Sequence, residues 1–384
     1  MKRFTILLDG IADRPQSALG GRTPMEAAVT PGLDNLFGSS KAGTVLTIPP
    51  GLEVGSAVAN LGLLGYDPAL YKGRAVIEAA GAGIPIKQDD LYIRCNFVTL
   101  SGDEYETSVM QSYDAHGVTS AESGPLTDML NKEVFEPPFR LVNIGTFRNI
   151  LIVEGAAQIA EQLEFMPAHD MIGGTVSDYT KGGAVMGQYF ELMKKAYKAL
   201  KEDNDTKANA VWFWGASYAP EFKEKTGEKR IVLAETSLMQ GIAALTKTQC
   251  ITTGEDKGFT EFLKDKTKNA LAAVRDYDYA YIHIQKLDDL SHELNPIEKT
   301  KAISEIEEHF IRPFFEEVEE PYSAFIASDH YTFSDSGGHG AEPAPFMLLG
   351  HGSDGIAGRF TEQHCSNTGL SVTAKELVAL QNGG

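Results

Sequence analysis

Three short apolar runs, one at the N-terminus and two in the C-terminal third, each lead into a cluster of acidic or imidazole side chains. Residues 4–8 lead into Asp9-Gly10. Residues 279–284 run into the cluster His283-Ile284-Gln285-Lys286-Leu287-Asp288-Asp289-Leu290-Ser291-His292, and residues 324–327 lead into Ser328-Asp329-His330, with His339 nine residues further on. Short, nearly continuous apolar runs are strands buried on both faces, as in a parallel sheet. Open α/β sheets bind ligands beyond the carboxyl ends of their strands, so polar clusters at those ends predict a site. Because the runs come from opposite ends of the chain, the sheet is assembled from both ends around an insertion.

At 384 residues the chain exceeds what one hydrophobic core supports, and two domains are expected. Residues 23–28 read as a helix start, 43–48 as a strand, and 49–55 as a loop delivering Ser56 to a helix. From about Asp89 the character changes. Strand-like segments at 91–100, 139–143 and 150–154 alternate with polar turns, a helix from Ser120 and an amphipathic helix near 187–201. Apolar strands at 210–214 and 231–234 then resume the α/β rhythm. The expected organisation is an α/β catalytic domain of residues 1–88 and 205–384, with an α+β insert of residues 89–204 covering the substrate.

The net charge of −19 opposes a nucleic-acid or anionic-membrane partner, because the long-range field repels both. A small anionic substrate needs local positive charge, which bound divalent ions supply. Cys95, Cys250 and Cys365 are odd in number and widely spaced, as expected of reduced thiols in a cytoplasmic protein. The N-terminus shows no export signal, and no stretch reaches the roughly 18 to 20 apolar residues of a membrane span.

Asp288 and His292 stand at i and i+4, so a helical turn places carboxylate and imidazole on one face. Mixed Asp and His donors suit Mn²⁺ or Zn²⁺, with Co²⁺ and Mg²⁺ compatible, and the absence of Cys argues against a closed structural zinc site. One such pair more often caps a helix or lines a wet face; several at the ends of successive strands favour metal. His116, His309, His351 and His364 belong to no comparable cluster, and Asp289 reads as a solvated carboxylate.

Ser56 follows Gly55 and precedes a helix-like run, so its hydroxyl stands at a helix N-terminus, where free N–H groups favour negative charge. A metal on that hydroxyl would make it a nucleophile at neutral pH. Without the metal motifs, Ser56 would read as a plain helix cap. The sequence carries no Gly-x-Ser-x-Gly elbow, no phosphate-binding Gly-x4-Gly-Lys loop and no dinucleotide fingerprint.

Several stretches together resemble cofactor-independent phosphoglycerate mutases of the archaeal type, and in particular the bacterial subgroup labelled proposed homoserine kinase. They are Asp9-Gly-Ile-Ala-Asp-Arg-Pro, Leu19-Gly-Gly-Arg-Thr-Pro-Met-Glu, Gly55-Ser56, Gly65-Tyr-Asp-Pro, Gly73-Arg-Ala-Val-Ile-Glu-Ala and Arg94-Cys-Asn-Phe-Val-Thr. The resemblance continues through Phe147-Arg148-Asn149, Pro167-Ala-His-Asp170 and Trp212-Phe-Trp-Gly215 to the Asp and His clusters, nearly the whole chain. It implies an alkaline-phosphatase-like doubly wound sheet with an inserted α+β domain. It also implies two metal ions, one held by Asp9, Ser56, Asp329 and His330, the other by Asp288, His292 and His339. Ser56 would carry a phosphoserine intermediate between 3- and 2-phosphoglycerate. Arg148, His169, Asp170 and Lys286 are the candidates for substrate contacts. The partner is a small phosphorylated metabolite, and a homo-oligomer is compatible with the family.

The chain departs from the family pattern at Gly337-Gly338 before His339, at Ala57 after the nucleophile, at Tyr331-Thr332-Phe333 and at Glu342-Pro343-Ala344-Pro345. These changes leave the ligand set intact. They keep open a second reading, a related phosphotransferase or phosphomonoesterase acting on another small metabolite, such as a homoserine kinase-like enzyme.

Overall fold

A computed structural model describes residues 1–202, 206–254, 257–352, 355 and 357–383. The chain forms two compact units, Met1–Tyr71 with Phe222–Gly384, and Lys72–Glu221. The first unit opens with β1 (Lys2–Leu8) and β2 (Lys41–Leu46). The second carries β3 (Leu91–Ser101), β4 (Val109–Ser112), β5 (Phe139–Gly145), β6 (Arg148–Val153) and β7 (Ala210–Tyr218). The first resumes with β8 (Arg230–Leu233), β9 (Gln249–Ile251), β10 (Tyr279–Ile284), β11 (Tyr322–Ala327), β12 (Tyr331–Thr332), β13 (His339–Gly340), β14 (Ala344–Leu349) and β15 (Ser371–Thr373).

In the first unit an eight-stranded sheet runs in the order β15-β2-β14-β11-β1-β10-β8-β9. Only β14 opposes its neighbours; the other pairings are parallel. Phe4, Ile6 and Leu8 join Ala280, Ile282, Ile284, Ala324 and Ile326 in a core closed by helices Phe259–Asp276 and Pro296–Ile306. On the other face the Tyr281 hydroxyl donates to Asn60 in helix Ser56–Leu63 at 2.7 Å. Coverage on both faces is why these strands read as continuous apolar runs.

The second unit is an antiparallel sheet, β4-β3-β6-β5 with β7 also on β3, around its own core. Here the structure corrects the sequence reading. Strand β7 does not resume the α/β sheet but pairs with β3 from Leu91↔Tyr218 to Val98↔Ala210. Helix Arg74–Gly81 belongs to this unit as well, its Val76 N–H donating to Ser217 Oγ at 2.8 Å. The boundaries of the compact unit therefore lie outside 89 and 204, at 72 and 221. The expected junction at 204/205 lies outside the described residues. An apolar strand reports its own burial but not which sheet buries it.

Candidate active site

Strand β1 lies between β10 and β11, parallel to both, with Leu8 opposite Ile284 and Leu7 opposite Ala327. The chain consequently leaves all three strands at one edge, and Asp9, the 285–292 segment and Ser328-Asp329-His330 emerge side by side. The turn after β1 depends on Gly10, whose φ is +62°; a Cβ there would collide with Thr332 Oγ1 and come within 3.0 Å of Asp288 Oδ1.

Asp9, Asp329 and His330 are fully buried. His330 Nε2 lies 3.2 Å from Asp329 Oδ2 and 3.7 Å from Asp9 Oδ1. Asp329 Oδ1 accepts from the N–H groups of Gly10 and His330, both at 3.0 Å, which fixes the carboxylate to the strand ends. His283, buried on β10, sets Asp9 from behind through Nε2 at 2.9 Å from Oδ2. Burial, then the nearby Lys266 charge, pushes the His283 imidazole down to about 3, so it is neutral at physiological pH and donates to Asp9.

Helix Lys286–His292 carries the second group, with acidic residues in its first turn and His292 in its last, as its dipole favours. The i, i+4 spacing brings His292 Nε2 to 3.2 Å from Asp288 Oδ2. His339 arrives from β13, paired opposite Thr332 of β12, with its Nε2 3.3 Å from Asp288 Oδ1 and 3.2 Å from His292 Nε2. Asp288, His292 and His339 thus offer donor atoms within 4.8 Å of one another, and so do Asp9, Asp288 and His330. Asp288 faces both groups, an arrangement not legible in the sequence.

Ser56 opens helix Ser56–Leu63 rather than capping it; Gly55 holds the cap position. The hydroxyl sits 3.0 Å from His330 Nε2. Asn60, one turn on, ties Ser56 to the buried Asp329 by donating to Ser56 O at 2.8 Å and to Asp329 Oδ2 at 3.2 Å. Sequence reading gave no site role to Asn60 or Thr332, and took His283 as the head of the 283–292 cluster without assigning it one. Asn60 did carry a signal, lying one helical turn beyond Ser56 on the same face.

The electrostatics of this edge call for a cation. Burial, followed by the charges of Asp329 and Asp288, drives the Asp9 carboxyl well above its usual range. Its Oδ1 is buried without a hydrogen-bond partner. Burial alone would also raise Asp288, but His292 and His339 beside it hold its carboxyl low. Burial lowers the His330 imidazole, keeping a neutral nitrogen next to three carboxylates. Crowded, dry carboxylates facing imidazole nitrogens fit a metal ion, which supplies the missing charge and takes both donor types.

The structure brings Asp9, Ser56, Asp288, His292, Asp329, His330 and His339 to this edge. Lys286 starts the helix that carries Asp288. Arg148, His169 and Asp170 belong to the second unit. Arg148 is exposed at the start of β6, its guanidinium 4.4 Å from the Phe147 ring. The His169 ring packs edge-on to Trp214 at 5.5 Å, and its Nε2 lies 3.6 Å from Asp170 Oδ1. Arg94, by contrast, lies over Trp214 at 3.5 Å and pairs with Glu78 at 3.0 Å.

Residues 38–204 match the family model described as 2,3-bisphosphoglycerate-independent phosphoglycerate mutase. The chain is 31% identical over 371 residues to the Methanosarcina barkeri protein of that name, covering 91% of this chain and 90% of that one. The chain belongs to the 2,3-bisphosphoglycerate-independent phosphoglycerate mutase family. A Geobacter sulfurreducens relative, named a probable mutase of this kind, is 30% identical over 97% of each chain. Among solved structures, a Pyrococcus horikoshii protein superposes with a TM-score of 0.80 at 24% identity, covering 99% of this chain and 96% of that one. The cofactor-independent phosphoglycerate mutase of Thermoplasma acidophilum gives 0.68 at 21% identity, covering 100% and 99%. These two likenesses show the α/β fold with its inserted unit. No described helix is long and apolar enough to cross a membrane.

Proposed function

We propose that this enzyme interconverts 3- and 2-phosphoglycerate without added bisphosphoglycerate, through a phosphoserine on Ser56 and with two divalent ions. The observation that carries the reading is the Ser56 hydroxyl, 3.0 Å from His330 Nε2, at the edge where the seven Asp, Ser and His side chains converge. Family membership supports the substrate over the phosphomonoesterase and homoserine kinase-like alternatives.

In this reading Asp9, Ser56, Asp329 and His330 would hold one ion and Asp288, His292 and His339 the other. The donor set favours Mn²⁺; Zn²⁺, Co²⁺ and Mg²⁺ are the other candidates. When bound, the ions lower the pKa of the serine hydroxyl and neutralise charge on the phosphoryl oxygens. The Ser56 oxygen gives up its proton and attacks phosphorus, the bond to the 3-oxygen of glycerate breaks with that oxygen taking up a proton, and the phosphoryl group passes to Ser56. The 2-hydroxyl of the retained glycerate then gives up its proton and attacks phosphorus, and the bond to Ser56 breaks with the serine oxygen regaining a proton. Asn60 keeps the nucleophile in register with Asp329 through both transfers. The family resemblance makes Arg148, His169, Asp170 and Lys286 our candidates for substrate contacts, and we assign a cytoplasmic setting to the chain, consistent with its three free thiols.

The test is phosphorus NMR of 3-phosphoglycerate incubated with Mn²⁺-loaded protein, without ATP or bisphosphoglycerate, and quenched with chelator. Formation of 2-phosphoglycerate is expected. Inorganic phosphate as the sole product would replace the mutase by a phosphatase, and an unchanged spectrum would overturn the assignment.

A further inference from the structure

Thr332 is fully buried on β12, and its hydroxyl lies between the two ligand groups: 2.8 Å from Asp288 Oδ1 and 3.0 Å from His330 Nδ1. Its backbone is clamped. Its N–H donates to Ala12 O at 3.0 Å, and its carbonyl accepts from the buried Lys299 ammonium at 3.0 Å. It pairs directly opposite His339 in the two-residue ladder. A threonine hydroxyl has one proton to give and lone pairs to receive. The shorter contact, 2.8 Å to the carboxylate oxygen Asp288 Oδ1, takes that proton, which leaves the hydroxyl only lone pairs to offer His330. The contact with His330 must then run the other way, with Nδ1–H as donor.

We propose that Thr332 is a positioning residue that fixes the His330 tautomer, with the proton on Nδ1 and the lone pair on Nε2, and couples that imidazole to Asp288. The free lone pair points at Ser56 Oγ, Asp329 Oδ2 and Asp9 Oδ1, at 3.0, 3.2 and 3.7 Å. It is the form an imidazole needs to bind a metal, and a partner on the other nitrogen is what selects it. One hydroxyl therefore prepares ligands in both groups, so that losing it weakens both together. The metal side of this inference rests on the function proposed above; the tautomer does not.

The test uses the full chain labelled with ¹⁵N-histidine, treated with chelator, and long-range proton–nitrogen NMR at pH 8. Wild type and Thr332→Ser are expected to show His330 protonated on Nδ1. Thr332→Val, which keeps the shape and removes the hydroxyl, is expected to populate the Nε2–H form. Calorimetric titration with Mn²⁺ is expected to show about a 10- to 100-fold loss of affinity at both sites in Thr332→Val and near-wild-type binding in Thr332→Ser. A wild-type His330 protonated on Nε2 would overturn the proposal without any variant. So would a Thr332→Val protein with unchanged tautomer and Mn²⁺ affinity. Wild type that binds no Mn²⁺ while His330 carries its proton on Nδ1 would overturn the metal assignment and leave the tautomer standing.

Discussion

Replacing Lys299 by Met tests the polar support beneath the site. Lys299 and Asp13 are both fully buried, with Nζ 3.1 Å from Asp13 Oδ2. Asp13 also accepts from Ser334 Oγ at 2.5 Å, Gln16 Nε2 at 3.0 Å and Arg14 N at 2.8 Å. Met fills a similar volume, so the cost is electrostatic rather than a cavity. Removing one partner of a buried pair costs about 3–5 kcal/mol, because the other charge is left without compensation. The donors that remain on Asp13 place this case near the lower bound, about 3 kcal/mol. Loss of the bond from Lys299 to Thr332 O adds about 1 kcal/mol. A total of about 4 kcal/mol corresponds to roughly a 10³-fold loss of hydrogen-exchange protection where exchange requires unfolding of the first unit. Amides of β1 and β10 are the ones to read. Both tryptophans, Trp212 and Trp214, lie in the second unit, so their fluorescence checks independently that this unit stays folded. Adding Asp13→Asn should restore part of the loss by removing the stranded charge. A single variant that loses less than about 1 kcal/mol, or a double variant less stable than the single, would refute the reasoning.

Ser56→Ala should abolish turnover by at least about 10⁴-fold while Mn²⁺ still binds, measured by the NMR assay and calorimetry in parallel; residual turnover near wild type would exclude the phosphoserine. Asp9→Asn removes a carboxyl crowded by burial and by Asp329 and Asp288, so the metal-free variant should melt higher than metal-free wild type. Mn²⁺ at about 1,000 times its dissociation constant should stabilise wild type by about 4 kcal/mol, reversibly with chelator, and Asp9→Asn much less. Burial raises Glu362, which accepts from Asp13 N and Thr23 Oγ1, from 4.5 to about 7. The folded state therefore holds a proton that the unfolded chain releases between those values. The stabilisation is complete below about pH 4.5 and is lost as pH rises through 7, by about 3 kcal/mol in all. Glu362→Gln should flatten that decline in denaturation curves taken across the same range, and an unchanged slope would assign it to another group.

Much of the site is legible along the chain because its chemistry is local. An apolar run ending on Asp9, an Asp288 to His292 step of one helical turn, and the adjacent Asp329 and His330 each state their geometry within a few residues. Burial is legible for the same reason, since a strand covered on both faces must be apolar throughout. What pairs with what is not local. That β1 sits between β10 and β11, and so brings three strand ends to one edge, depends on register between segments more than 270 residues apart. The same gap explains β7, whose apolar run is the same whichever sheet buries it. It also explains why Asp288 reaches both ligand groups and why Thr332 lies between them. The donor side chains at the three strand ends were thus determined by the sequence. The nearness of Asp288 to both groups, the backing of Asp9 by His283 and the contact of Thr332 with His330 were decided only by the tertiary structure, because each depends on where a second, distant side chain is placed.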